Sequence, residues 1–110
     1  MKPMKEKSIL VVTKRPGEEP QIQALFPNDL ASLQNFVGGY IETVTLAAGV
    51  VLVCNEEGRM HGLAPNVCLS GQTFVGPVLV AGTHLDEFTS LPGSRVARVL
   101  RALEAGDVRV

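Results

Sequence analysis

The chain alternates short apolar runs with turn-forming stretches, and the period of each run predicts its element. Ser8 to Thr13, SILVVT, is dense in β-branched residues and stops at KRPGEEP, which predicts a buried strand followed by a solvated loop. QIQALF, from Gln21, alternates polar and apolar side chains and predicts a short edge strand. In PNDLASLQNFVGG, Leu30, Leu33, Phe36 and Val37 recur at helical spacing. Asn28 or Asp29 stands where a first turn needs an acceptor, and Gly38 supplies the left-handed residue that ends such a helix. From Tyr40 the period shortens: YIETVTL is rich in β-branched residues, AAG turns the chain, and VVLVC is apolar at every position. A run of that kind predicts a central strand covered on both faces.

Asn55 leaves that strand. Glu56, Glu57 and Gly58 then read as a tight hairpin connection with Gly58 at positive φ, and RMHGL as the returning partner strand. APNVCLSGQT reads as turn-rich and irregular. FVGPVLVAG reads as one apolar strand with a bulge or edge at Pro77, because proline has no N–H for the ladder. THLDEFTS is short and polar at both ends. LPGSRVARVLRALEAG places Val96, Val99, Leu100 and Leu103 on one helical face and ends at Gly106. Two helices and about five strands, in the order strand, strand, helix, hairpin, strand, helix, imply one α+β domain over residues 1–110. Its sheet is mainly antiparallel, with both helices packed on it.

Composition narrows the function classes. The chain is 45% apolar and 19% charged with a formal charge of -1, the balance of a globular domain with one core. A basic excess that would draw nucleic acid or an anionic membrane is absent, so neither is expected as a partner. With one Tyr, four Phe and no Trp, a base-stacking platform has little to build on. Cys54 and Cys68 are too few for a disulfide framework and read as reduced, buried thiols. MKPMKEKSILVV carries the charge of a signal-peptide start, but its apolar run ends at Thr13. No segment reaches the roughly 20 apolar residues that span a bilayer. The location expected is cytoplasmic.

LQNFVGGYIETV, then NEEG, then GLAPN, and later GPVLVAG before DEFTSL, together resemble a family of small bacterial, plasmid and phage domains of unknown function, numbered 3846. The resemblance runs from the first strand to about Leu91, and VGGYIE and NEEG stand about a dozen residues apart in it. It implies an α+β fold and a mobile-element or accessory-gene setting, and no activity.

The candidate chemistry clusters between Asn55 and Asn66. Asn55, Glu56, Glu57 and Asn66 carry oxygens suited to a cation or to ligand hydroxyls, although the spacing of a calcium loop is missing. Against this stands a reading in which the two asparagines bond backbone groups and the glutamates are solvated. Cys54, His61, Cys68 and His84 are the soft and imidazole ligands, but they contain no short paired spacing, so no metal is expected. Cys68 with His61 or His84 lacks any motif of a nucleophile pair. Arg95, Arg98 and Arg101 make a basic stripe opposite the apolar face of the last helix, suited to phosphates, with Glu104 one turn from Arg101. VGGY lacks the spacing of a phosphate loop.

Three functions follow. The leading one is a non-enzymatic binding module, an accessory or counter-defence protein that captures a small anionic ligand or a host protein. Its candidate residues are Asn55, Glu56, Glu57, His61, Asn66, Arg95, Arg98 and Arg101, with no catalytic residue and no cofactor. The second is a small enzyme using Glu56 or Glu57 as acid or base with His61 assisting. The third is a structural protein that self-associates into a homo-oligomer through a strand edge or the last helix.

Overall fold

A computed structural model describes residues 6–108; the start of the charged amino-terminal stretch lies outside them. The sequence folds as β1 (Ser8–Lys14), β2 (Gln21–Pro27), α1 (Leu30–Val37), β3 (Ile41–Ala47), β4 (Val50–Asn55), β5 (Pro65–Leu69), β6 (Gln72–Val75), β7 (Val78–His84), β8 (Glu87–Thr89) and α2 (Gly93–Ala105). The predicted α+β class stands. The main sheet has six strands rather than about five: β2-β1-β7-β4-β3 in order, with β8 against the far half of β7. Every pairing in it is antiparallel.

The central strands are β4 and β7, buried almost throughout, as their unbroken apolar runs require. Because successive side chains alternate across a strand, each feeds two cores. Val50, Leu52 and Cys54 of β4 join Val78 and Val80 of β7 beneath α2 and the β5-β6 hairpin, where Val67, Phe74 and Leu103 meet them. Val53, Leu79 and Ala81 face the other way, with Ile9 and Val11, and receive Leu33 and Val37 of α1. The helices therefore cover opposite faces of one sheet. Each fully buried aliphatic side chain is worth about 1.5–3 kcal/mol, so these two layers carry most of the fold.

α1 begins as its capping signal predicts. Of the two candidates it is Asp29 that accepts from Ser32 N at 2.7 Å, while Asn28 is buried and donates to the carbonyls of Glu6 and Phe88. Gly38 ends the helix at φ 83°, in the left-handed region. β2 is the predicted edge strand.

Two readings fail at turns. FVGPVLVAG is not one strand: Gly76 at φ 74° and Pro77 break it into β6 and β7, which belong to different sheets. APNVCLSGQT is not irregular but supplies β5, the turn and the start of β6. Ser70 and Gly71, both at positive φ, form the two-residue connection between paired Leu69 and Gln72. Leu85 and Asp86 make the same kind of connection between β7 and β8. Both cysteines are free, but Cys68 is exposed rather than buried.

Candidate functional site

The segment after β4 does not return as a strand. Gly58 N donates to Asn55 O at 3.2 Å, His61 N to Glu57 O at 3.0 Å, Gly62 N to Arg59 O at 3.1 Å and Leu63 N to Gly58 O at 3.0 Å, so residues 56–62 coil through successive turns. β4 pairs instead with β3 and β7. Positive φ falls at Gly62, at 68°, and not at Gly58. What Gly58 supplies is space: it is buried, and a Cβ there would lie 2.8 Å from Val75 Cγ2. The hairpin expectation failed because a glycine after two glutamates suits a coiled turn as well as a tight one, and only the pairing of β4 with β7 separates them.

This coil forms one wall of a cleft of about 320 Å³. The open ends of β3 and β4 give Glu42 and Cys54, the coil gives Glu56, Glu57, Arg59 and Met60, and β6 closes the opposite wall with residues 72–75. Arg59 is tethered, its Nη2 donating to Thr73 O across the cleft. Glu56 and Glu57 are exposed. Burial, and then the Glu42 carboxylate, push the Cys54 thiol up to about 11, so it stays protonated at neutral pH and is no thiolate nucleophile. Among the described residues no three His, Cys, Asp or Glu side chains converge where a metal ion would sit.

The other predicted residues are dispersed. Asn55 is buried and structural: its Nδ2 donates to Val37 O at 3.1 Å, satisfying a carbonyl at the end of α1, and its Oδ1 accepts from Glu57 N at 2.8 Å. Gly39 lies against this amide so closely that a Cβ would come within 2.9 Å of Nδ2. Tyr40 O accepts from Glu56 N at 2.8 Å. VGGY and NEEG are thus in contact, one holding the other.

Asn66 is fully buried and does not line the cleft. Its Nδ2 donates to Lys14 O at 2.7 Å and Gly76 O at 2.8 Å, and its Oδ1 accepts from Lys14 Nζ at 2.9 Å. Lys14 has no exposed side-chain surface and reaches Asp107 Oδ1 at 3.0 Å. His61 lies outside this cleft, lining a separate one with Phe36, Leu63 and Pro77, and is 3.7 Å from Glu57 Oε1, too long for a hydrogen-bonded dyad. Arg95 and Arg98 do not lie opposite the apolar side of α2. They flank a groove of about 180 Å³ floored by Leu46, Ala47, Val50 and Val99. Arg101 is exposed, outside that groove, and forms no ion pair with Glu104 among the described residues.

Sequence reasoning missed Glu42, Arg59 and the β6 wall, which reach the cleft only through the β3-β4 register and the β5-β6 hairpin. Glu42 carried a signal: it is an acidic residue two before Val44 in an alternating strand, and so stands on that residue's face. Lys14 carried none, since a lysine at the head of KRPGEEP reads as solvated.

One family model, described as a domain of unknown function (DUF3846), matches residues 5–104. No curated protein and no solved structure matches the chain. No helix among the described residues is long and apolar enough to cross a membrane.

Proposed function

The chain belongs to the DUF3846 family, and on that footing we propose that it is a non-enzymatic binding module whose ligand is a small organic cation held in the cleft between β3, the coil after β4, and β6. The carrying observation is the cleft's charge: Glu42, Glu56 and Glu57 stand around it against the single guanidinium of Arg59, itself tethered to Thr73. Met60, Phe74 and Val75 give it apolar surface, and its volume is at the lower end of small-ligand sites. Carboxylates spread around a partly apolar cleft suit an amine or guanidine with a short carbon chain. The anionic ligand expected from sequence finds no complement there, because Arg95 and Arg98 line a separate groove by the Leu46 end of β3. The exposure of Glu56 and Glu57 and the protonated Cys54 thiol favour binding over catalysis.

Thermal shift and calorimetry with putrescine, spermidine, arginine amide and choline, against AMP and citrate as anionic controls, test the reading. A cation at about 100 times its Kd raises stability by about 2.7 kcal/mol. Glu56→Gln with Glu57→Gln abolishes that gain while leaving the unliganded melting temperature within a degree or two. Stabilisation by the anions and not by the cations would sink the proposal.

A further inference from the structure

We propose that two copies of this domain associate about a two-fold axis, the free edge of β3 in one pairing antiparallel with β3 of the other around Thr43. β3 is the last strand of its sheet, paired only with β4, and among the described residues its outer edge has no backbone partner. An edge of this kind is a template for another strand unless it is blunted. The other end of the sheet is blunted: β2 lies between Pro20 and Pro27, and its register with β1 shifts between Ile9 and Val11. β3 runs unbroken from Ile41 to Thr45, all but Glu42 of it β-branched, before its own shift at Leu46.

The surface is self-complementary under that axis. Antiparallel pairing about Thr43 sets Ile41 opposite Thr45 of the second copy, Glu42 opposite Val44, and Tyr40 opposite Leu46, each twice. Tyr40 and Leu46 are the exposed large apolar side chains at the two ends of this strand, 67% and 37% accessible. The charges exchange in the same way. The Glu42 end carries the acidic cleft, with Glu56 and Glu57. The Leu46 end carries Arg95 and Arg98, which form no ion pair among the described residues. Val44 and Glu42 pair with Leu52 and Cys54, which face α2, so both charged ends lie on that side of the sheet. The axis brings the acidic end of each copy to the basic end of the other, giving a continuous sheet of twelve strands from two sheets of six. The seven paired residues a copy, Tyr40 to Leu46, make a small interface of the weakly associating class.

A charge exchange tests it. One variant carries Glu42→Lys, the other Arg95→Glu with Arg98→Glu, and each sets like charges against like at both ends of its own pair. Mixed, the two variants restore opposite charges at both ends. Light scattering and sedimentation equilibrium at about 200 µM and low salt, where exposed charges are least screened, show wild type as a dimer, each variant alone as a monomer, and the equimolar mixture as a heterodimer. A wild-type monomer at that concentration overturns the proposal, as do variants that dimerise like wild type or a mixture that stays monomeric. The readout is mass, so the result is independent of what the cleft binds.

Discussion

Removing the Asp107 carboxylate tests the least expected feature of the fold, the ammonium buried between β1 and the carboxyl-terminal segment. The Lys14 side chain has no exposed surface, and Asp107 has 10%. In Asp107→Ala the ammonium keeps Asn66 Oδ1 at 2.9 Å and a long approach of 3.5 Å to Arg15 O, with no counter-charge of its own. Breaking a buried pair by removing one partner costs about 3–5 kcal/mol, and the slight exposure of Asp107 puts this case near 3. At this chain length each kcal/mol moves Tm by about 4 °C, so Asp107→Ala should lower it by about 12 °C.

The mechanism makes a sharper statement about the double variant. Lys14→Met removes the stranded charge and keeps most of the volume, so adding it to Asp107→Ala should restore about 1–2 kcal/mol rather than subtract more. Urea unfolding followed by circular dichroism, on both single variants and the double, measures the coupling. A double variant that loses the sum of the two single losses would show that the pair contributes through packing and not through charge. A loss under about 0.5 kcal/mol for Asp107→Ala would show that the ammonium is hydrated in solution.

Three further tests concern the cleft and the cysteines. Gly58→Ala should cost about 1–3 kcal/mol, because the new Cβ would stand 2.8 Å from Val75 Cγ2, while Glu56→Ala or Glu57→Ala should stay within about 0.5 kcal/mol; thermal melts of the three compare them directly, and a tolerated Gly58→Ala would mean that β6 yields at Val75. At pH 8 iodoacetamide should label exposed Cys68 and spare buried Cys54. The raised Cys54 pKa means that the unfolded chain releases its proton from about 9.0 upward while the folded one holds it to about 11, so stability conferred below 9 is lost as pH rises through that window; loss of this slope in Cys54→Ala is the check.

How far the sequence could be read depended on whether an element's partner lay near it in the chain. α1 was legible because its cap, its apolar spacing and Gly38 are all local. So was the double burial of β4, since VVLVC has no polar face to expose. Gly58 was misread because the same residue serves a positive φ or a close approach, and the chain alone does not place Val75 against it. β6 and β7 were merged because their separation rests on Gly76, and nothing local shows that FV pairs backward with β5 while VLVAG pairs across the sheet. Asn55 and Asn66 were rightly weighed as backbone-binding amides, but that both were buried staples depended on carbonyls of Val37, Lys14 and Gly76, all at least ten residues away. The carboxylates of the cleft were half found for the same reason, Glu56 and Glu57 being adjacent and Glu42 reached only through register.

The same long-range contacts tie the cleft to the buried ion pair. β6 walls the cleft, and β6 is held by β5, whose Asn66 receives Lys14 Nζ and donates to Gly76 O. The carboxyl-terminal segment closes on this hairpin from outside: Cys68 N donates to Gly106 O and Val108 N to Asn66 O, both at 2.8 Å, beside the bridge between Val67 and Asp107. Val67 and Phe74, one from each hairpin strand, fill the core with Leu103. The hairpin is thus a two-stranded unit in which β6 lines the cleft with residues 72–75 while Asn66 of β5, opposite Phe74 and Val75, holds the lysine. For the binding proposed above, Asp107→Ala, which removes the lysine's counter-charge behind this hairpin, should therefore lower cation affinity along with stability, and calorimetry on that variant is the check.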